Sequence, residues 1–188
     1  MGQRNHPPVA IDVIILTILI ACAGCTPGDN PVSSVWALSE KAMMIEPEGC
    51  IGAVLECYGE FTDPDAVSKY AGLLHPGYRW YFQPKDVQPG KRPYLDREED
   101  IAVTAKIFAS ASILLLDISL GVWYPLCDYE GLPCERCFTT TRKYMIIAQF
   151  GEGGRIHRGN DVVVIIAVPD PDFPDRFVIR AMYDVDDG

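Results

Sequence analysis

Asp117 is a single acidic residue in a mostly apolar run, Leu114-Leu-Leu-Asp-Ile-Ser-Leu120, and it is the first candidate for general acid–base chemistry. In a strand it shares a face with Ile113, Leu115 and Ser119, whereas Leu114, Leu116 and Ile118 take the other. Two placements follow. It is either a pocket acid whose carboxyl stays protonated in apolar surroundings, or an acid on the solvated face of a sheet, the commoner arrangement. His75 stands before Pro76 at the expected end of a helix, where a cation is favoured and exposure is usual. His157 falls in a Gly-rich loop and is poorly placed as a base.

Cysteines offer the second chemistry. Cys127, Cys134 and Cys137 crowd three thiols into Leu126 to Phe138, which reads as a loop. A tetrahedral zinc site needs a fourth ligand, and no His or Cys stands at suitable spacing, so no metal is assigned. A Cys-x-x-Cys redox pair normally opens a helix beside a strand, and no helical run follows Cys137. A loop disulfide is therefore expected, with Cys127 bridged to Cys134 or Cys137. Cys50 and Cys57 lie on one helical face two turns apart, too far for a bridge, and read as small core hydrophobes. No cofactor is called for.

A formal net charge of −10 opposes phosphate backbones and anionic lipid headgroups. Arg155-Ile-His157-Arg158 is the only local basic stretch and reads as a solvated turn, so nucleic acid is not an expected partner.

These residues need positioning elements. After Pro47, the residues Cys50, Val54, Cys57, Tyr58 and Phe61 recur with helical spacing. Asp63 suits an N-cap with Pro64 at the first helical position, opening a second helix through Val67, Tyr70 and Leu74 that ends near His75. Tyr78 to Phe82 reads as a short strand. Asp96 and Glu99 are spaced as a capping box for a third helix on Ile101, Ala105 and Phe108. Ile113–Tyr124, Phe138–Phe150, Asp161–Val168 and Phe177–Asp184 are strand-like, divided only by turn-rich segments. Their pairing should be antiparallel.

The first residues have a different character. Val13-Ile-Ile-Leu-Thr-Ile-Leu-Ile-Ala21 follows Arg4 and is too short for a ~30 Å hydrocarbon core, which takes roughly 20 apolar residues. It fits a secretory h-region. Its end, Leu19-Ile20-Ala21-Cys22, resembles the lipobox of bacterial lipoproteins. The resemblance implies acylation at Cys22, with Cys25 as the alternative. The expected organisation is a signal peptide over 1–21, a lipid-attachment cysteine and Pro/Gly/Ser linker over 22–46, and one domain over 47–188. The expected location is the cell envelope, lipid-anchored to a membrane, with the domain facing the periplasm or exterior.

Three helices and a strand-rich second half define an α+β chain. Helix, Asp63-Pro-Asp65 turn, helix, His75-Pro-Gly-Tyr-Arg-Trp-Tyr-Phe82 and the closing Arg176-Phe-Val-Ile-Arg-Ala-Met-Tyr-Asp184 together resemble the NTF2-like (SnoaL-like, cystatin-like) superfamily over residues 47–186. That resemblance implies a cone: three N-terminal helices packed on a curved antiparallel sheet. Its isomerase members need a carboxylate base, a donor Tyr and a buried Asp. The matching positions here are Phe82, Tyr58 and Ile146. Phe and Ile cannot move a proton, and the one acid near Phe82 is Asp86. Dehydratase-like members would point instead to His75 and Asp117.

Two functions are carried forward. One is a non-catalytic lipoprotein domain binding a small apolar ligand or a partner, with Tyr58, Trp80, Phe82, Trp123 and Tyr144 as the aromatic lining, or else with those aromatics filling the cone. The other is a secreted lyase or isomerase working on a hydrophobic substrate through Asp117 and Tyr58. Oligomeric state stays open, a dimer included.

Overall fold

The computed structural model describes residues 45–151 and 153–185. The apolar run, Cys22, Cys25 and the linker through residue 44 lie outside the described residues. No helix within them is long and apolar enough to cross a membrane.

Helix α1 (Pro47–Gly59) starts on a proline, whose missing N–H costs nothing there, and buries Cys50, Ile51, Ala53, Val54 and Cys57. Helix α2 (Ala66–Gly72) begins later than Asp63-Pro64 suggests. The Asp63 carboxylate accepts the backbone N–H of Asp65 at 2.9 Å, closing a turn that delays the helix. Strand β1 (Leu74–Tyr81) and the short β2 (Tyr94–Asp96) intervene before α3 (Arg97–Ser110), so the helices do not all precede the sheet. The capping box of α3 forms as its spacing predicts: Glu99 N–H donates to Asp96 at 3.1 Å, and Asp96 N–H donates back to Glu99 at 3.0 Å.

The remaining strands are β3 (Ala111–Ile118), β4 (Tyr124–Tyr129), β5 (Leu132–Phe150), β6 (Ile156–Pro169) and β7 (Phe177–Val185). The seven form one sheet in the order β2-β1-β7-β6-β5-β3, with β4 also paired to β5. All pairs are antiparallel except β1 with β7, which corrects the expectation of a wholly antiparallel sheet. No tight turn joins β1 to β7, so no turn forces their directions to oppose.

Two local expectations change. The single strand foreseen over Ile113–Tyr124 ends at Ile118; after a break at 119–123 a separate strand, β4, starts at Tyr124, and β3 and β4 pair with opposite ends of the long β5. The segment read as a cysteine loop is a hairpin. Glu130 (φ 54°) and Gly131 (φ 77°) both turn left-handed between Tyr129 and Leu132, the geometry that matches strand twist in a two-residue connection. His157 likewise belongs to β6 rather than to a loop.

The main core lies between the helices and one face of the sheet. There Cys50, Val54, Tyr70 and Phe108 meet Leu114, Ala148, Val163, Ile165 and Ile179. A smaller cluster on the opposite face, Cys137, Ile166, Val168, Val178 and Ala181, is covered by Leu126, Tyr129 and Cys134 of the hairpin.

Candidate functional site

Helix α3 presents Asp100, Val103, Thr104 and Phe108 as its buried face. Asp100 thus enters the core one turn inside the capping box. The Tyr70 hydroxyl of α2 donates to its Oδ2 at 2.6 Å. Burial raises the Asp100 carboxyl from 3.8 to about 6, and the Tyr70 hydrogen bond pulls the other way. Burial, and then the nearby Asp100 charge, hold the Tyr58, Tyr70 and Tyr78 phenols above their usual range. Tyr58 from α1 packs edge-on against Tyr70 and Phe108, with ring centres 6.1 and 5.1 Å apart. The Tyr78 hydroxyl is buried beside Tyr70. Chemically this is a carboxyl titrating near neutrality among phenols.

Asp100 was not singled out by the sequence reading. It sits in the charged run Asp96-Arg-Glu-Glu-Asp100, where solvation is the ordinary expectation. The available signal was the spacing 100, 103, 104, 108, one residue out of phase with the Ile101–Ala105 stripe.

The structure separates Asp117 from Tyr58. Leu114, Leu116 and Ile118 face the core, so Asp117 lies on the exposed side of β3 with Ile113 and Leu115. Asp117 borders a shallow hollow of about 220 Å³ with Ser119, Lys143 and Met145 among its lining. A second hollow of about 380 Å³ lies over Gln83, Pro84, Lys85, Asp184 and Val185. Tyr58, Trp80, Trp123, Tyr144 and Ile146 are half-buried and pack on the main core, and Phe82 is half-buried just beyond β1. His75 is in β1, not at a helix end. Its Nδ1 accepts the Gly77 N–H at 2.9 Å, and burial followed by the Arg180 charge lowers its pKa rather than favouring a cation. Asp86 closes a 3₁₀ turn over Pro84–Asp86.

A second polar centre surrounds Arg142 on the inward face of β5. Its side chain is fully buried, while that of Glu48 in the first turn of α1 is 46% exposed. Arg142 Nη2 donates to Glu48 Oε2 at 2.5 Å and Nη1 to Glu48 Oε1 at 3.4 Å. Trp123 Nε1 donates to the same Oε2 at 2.7 Å. The guanidinium is held from behind by Thr140 Oγ1 at 2.8 Å and the Ser119 carbonyl at 2.9 Å. The strand break at 119–123 therefore wraps this guanidinium.

The disulfide runs between Cys134 and Cys137 with Cα atoms 5.5 Å apart, not from Cys127, which is free and exposed. Asp128 pairs with Pro133 and Leu126 with Cys137, so four steps on β5 oppose two on β4. The strand bulges there, bringing the two cysteines within bridging distance. Cys50 and Cys57 are buried thiols of the core, outside the disulfide. Among the described residues, no group of three His, Cys, Asp or Glu side chains is placed to hold a metal ion.

No family model matches the chain, and no curated protein matches its sequence. Solved structures resemble it. An NTF2-like superfamily protein of Salmonella enterica serovar Typhimurium aligns over 81% of this chain and 94% of its own, with 9% identity and a TM-score of 0.53. A conserved protein of Planctomyces limnophilus aligns over 73% and 97%, with 13% identity and a TM-score of 0.53. A protein of Kribbella flavida aligns over 76% and 94%, with 12% identity and a TM-score of 0.51. The domain has the NTF2-like α+β fold with a curved, open sheet. At such identities the likeness is one of fold, and function must be argued from the site.

Proposed function

We propose that this chain is an exported cell-envelope protein, lipid-anchored through Cys22 or Cys25, whose NTF2-like domain acts by binding a small apolar ligand or a partner. The observation that carries the non-catalytic reading is the separation of the chemistry-bearing groups. Asp117 faces outward, Tyr58 packs inward, and Phe82 and Ile146 occupy the positions that the isomerase chemistry would fill with acids. General acid–base catalysis requires its groups within hydrogen-bond reach of one substrate. Tyr144, which borders the hollow of about 220 Å³ beside Asp117, supports a binding role, since ligand sites are concave and carry aromatic lining.

A lyase or isomerase acting on a hydrophobic substrate is the second reading, favoured by Asp100 near neutrality beside Tyr70. The two are separated by assaying the purified protein against a 3-keto-Δ5-steroid and simpler enolisable ketones. The expected result is no turnover above background. Turnover abolished by Asp100→Asn or Asp117→Asn would establish the enzyme instead. Intact-mass measurement on membrane-extracted protein tests the anchor. A mature chain starting at Cys22 or Cys25 and carrying acyl mass is expected, and stable anchoring takes more than one acyl chain.

A further inference from the structure

Arg142, Trp123 and Glu48 form a carboxylate cradle with an unequal distribution of burial. The donors, Arg142 Nη1 and Nη2 and Trp123 Nε1, belong to β5 and the strand break beside it. The one carboxylate they hold comes from the first turn of α1 and is half exposed. A guanidinium fork presents two parallel N–H groups that match a planar carboxylate, and an indole N–H on the same oxygen adds a third donor. The fork is prepositioned. Thr140 and the Ser119 carbonyl orient it, Trp123 lies 5.7 Å from it in a cation–π contact, and the backbone at Gly121 presses so close that a Cβ there would meet Arg142 Nε at 2.9 Å. The fork and its orienting groups are supplied by the sheet and the loop beside it, and only the occupant comes from the helical layer.

We propose that this cradle is a ligand site for a small carboxylate with an apolar body, and that Glu48 is its resident, displaceable occupant. An apolar body suits the site because the loop that wraps the cradle leaves Leu120 91% and Val122 64% exposed. Displacement frees the first turn of α1, so occupancy of the site is linked to the order of that turn. The inference deepens the binding reading above and rests on it for what the binding accomplishes. It is tested by a readout that neither acylation nor turnover affects.

The indole N–H resonance of Trp123, assigned with Trp123→Phe, is followed in the full chain during titration with sodium benzoate, sodium acetate and sodium chloride at matched ionic strength. The resonance is expected to move saturably with benzoate, to need more acetate, and to stay put in chloride. In Glu48→Ala the same movement should occur at about tenfold or more lower benzoate, because the tethered competitor is gone. Melting temperature should then rise with benzoate as binding to the native state requires. Arg142→Met should abolish the response. Should that variant not fold, Glu48→Ala with Trp123→Phe replaces it, and its benzoate-dependent rise in melting temperature should be several-fold smaller. Movement in Glu48→Ala with none in the natural sequence would overturn the proposal, leaving Glu48 a fixed structural partner. Equal responses to chloride and benzoate would overturn it as simple screening.

Discussion

Tyr70 donates to Asp100 at 2.6 Å in the core, and this bond ties α2 to the first turn of α3 together with Arg97 Nη2, which donates to the Ala71 carbonyl at 2.7 Å. The carboxyl is as buried as its apolar neighbours, so the bond satisfies a group that would otherwise be costly to bury. Its protonation state is consequently part of the energetics of folding.

An acid whose carboxyl is raised from 3.8 to about 6 holds more protons folded than unfolded between about pH 4 and pH 6. Its contribution to stability falls as pH rises through that window and is level above it. The difference is on the order of 2–3 kcal/mol. Urea unfolding across pH 4 to 7 should show Asp100→Asn gaining on the natural sequence as pH rises, with the two curves parallel above about pH 6.5. Curves parallel throughout would mean that Asp100 is ordinarily solvated.

Tyr70→Phe removes the donor and leaves a buried carboxylate unpaired. The cost should be about 1–3 kcal/mol at pH 7 and visibly smaller at pH 4, where the carboxyl is protonated. Unfolding measured at those two pH values checks the difference.

Neighbouring leucines on β3 report the faces of the sheet. Leu114 is 4% exposed and Leu115 57%. Leu114→Ala should cost about 2–5 kcal/mol, whereas Leu115→Ala should stay within about 0.5 kcal/mol. Comparable costs would move Asp117 off the solvated face as well, because it alternates with Leu115.

Gly121→Ala should destabilise by about 1–3 kcal/mol through overpacking. The new methyl would meet Arg142 Nε at 2.9 Å and Cδ at 3.0 Å, and the buried guanidinium is pinned by Thr140, Ser119 and Glu48. Denaturant unfolding of this single variant is sufficient.

Alkylation of native, unreduced protein should label Cys127 and leave Cys50 and Cys57 protected until unfolding. Cys134 and Cys137 should be recovered as one linked peptide. Closing so short a loop contributes about 2 kcal/mol on chain-entropy grounds, which sets the expected loss for Cys134→Ser with Cys137→Ser.

The three helices, the capping box at Asp96 and Glu99, the strand content and the NTF2-like order of elements were legible in the chain itself. Spacing, capping residues and turn residues act within a few positions of one another, and that information is local. The break at 119–123 was not legible, because Ile113–Tyr124 reads as one β-rich run and the interruption comes from Arg142 on another strand. The Cys134–Cys137 bridge depended on a bulge set by pairing with β4, which spacing does not encode.

Side-chain chemistry divided along the same line. Period-two alternation put Asp117 on one of two faces but could not say which face met the helices. Asp100 reads as solvated among Glu98 and Glu99 until Tyr70 closes over it from α2, thirty positions away. Glu48 and Arg142, 94 positions apart, meet only when α1 packs on the sheet. Local preference is written in neighbouring residues, while the pairing of buried charges is decided by which distant surfaces exclude water together.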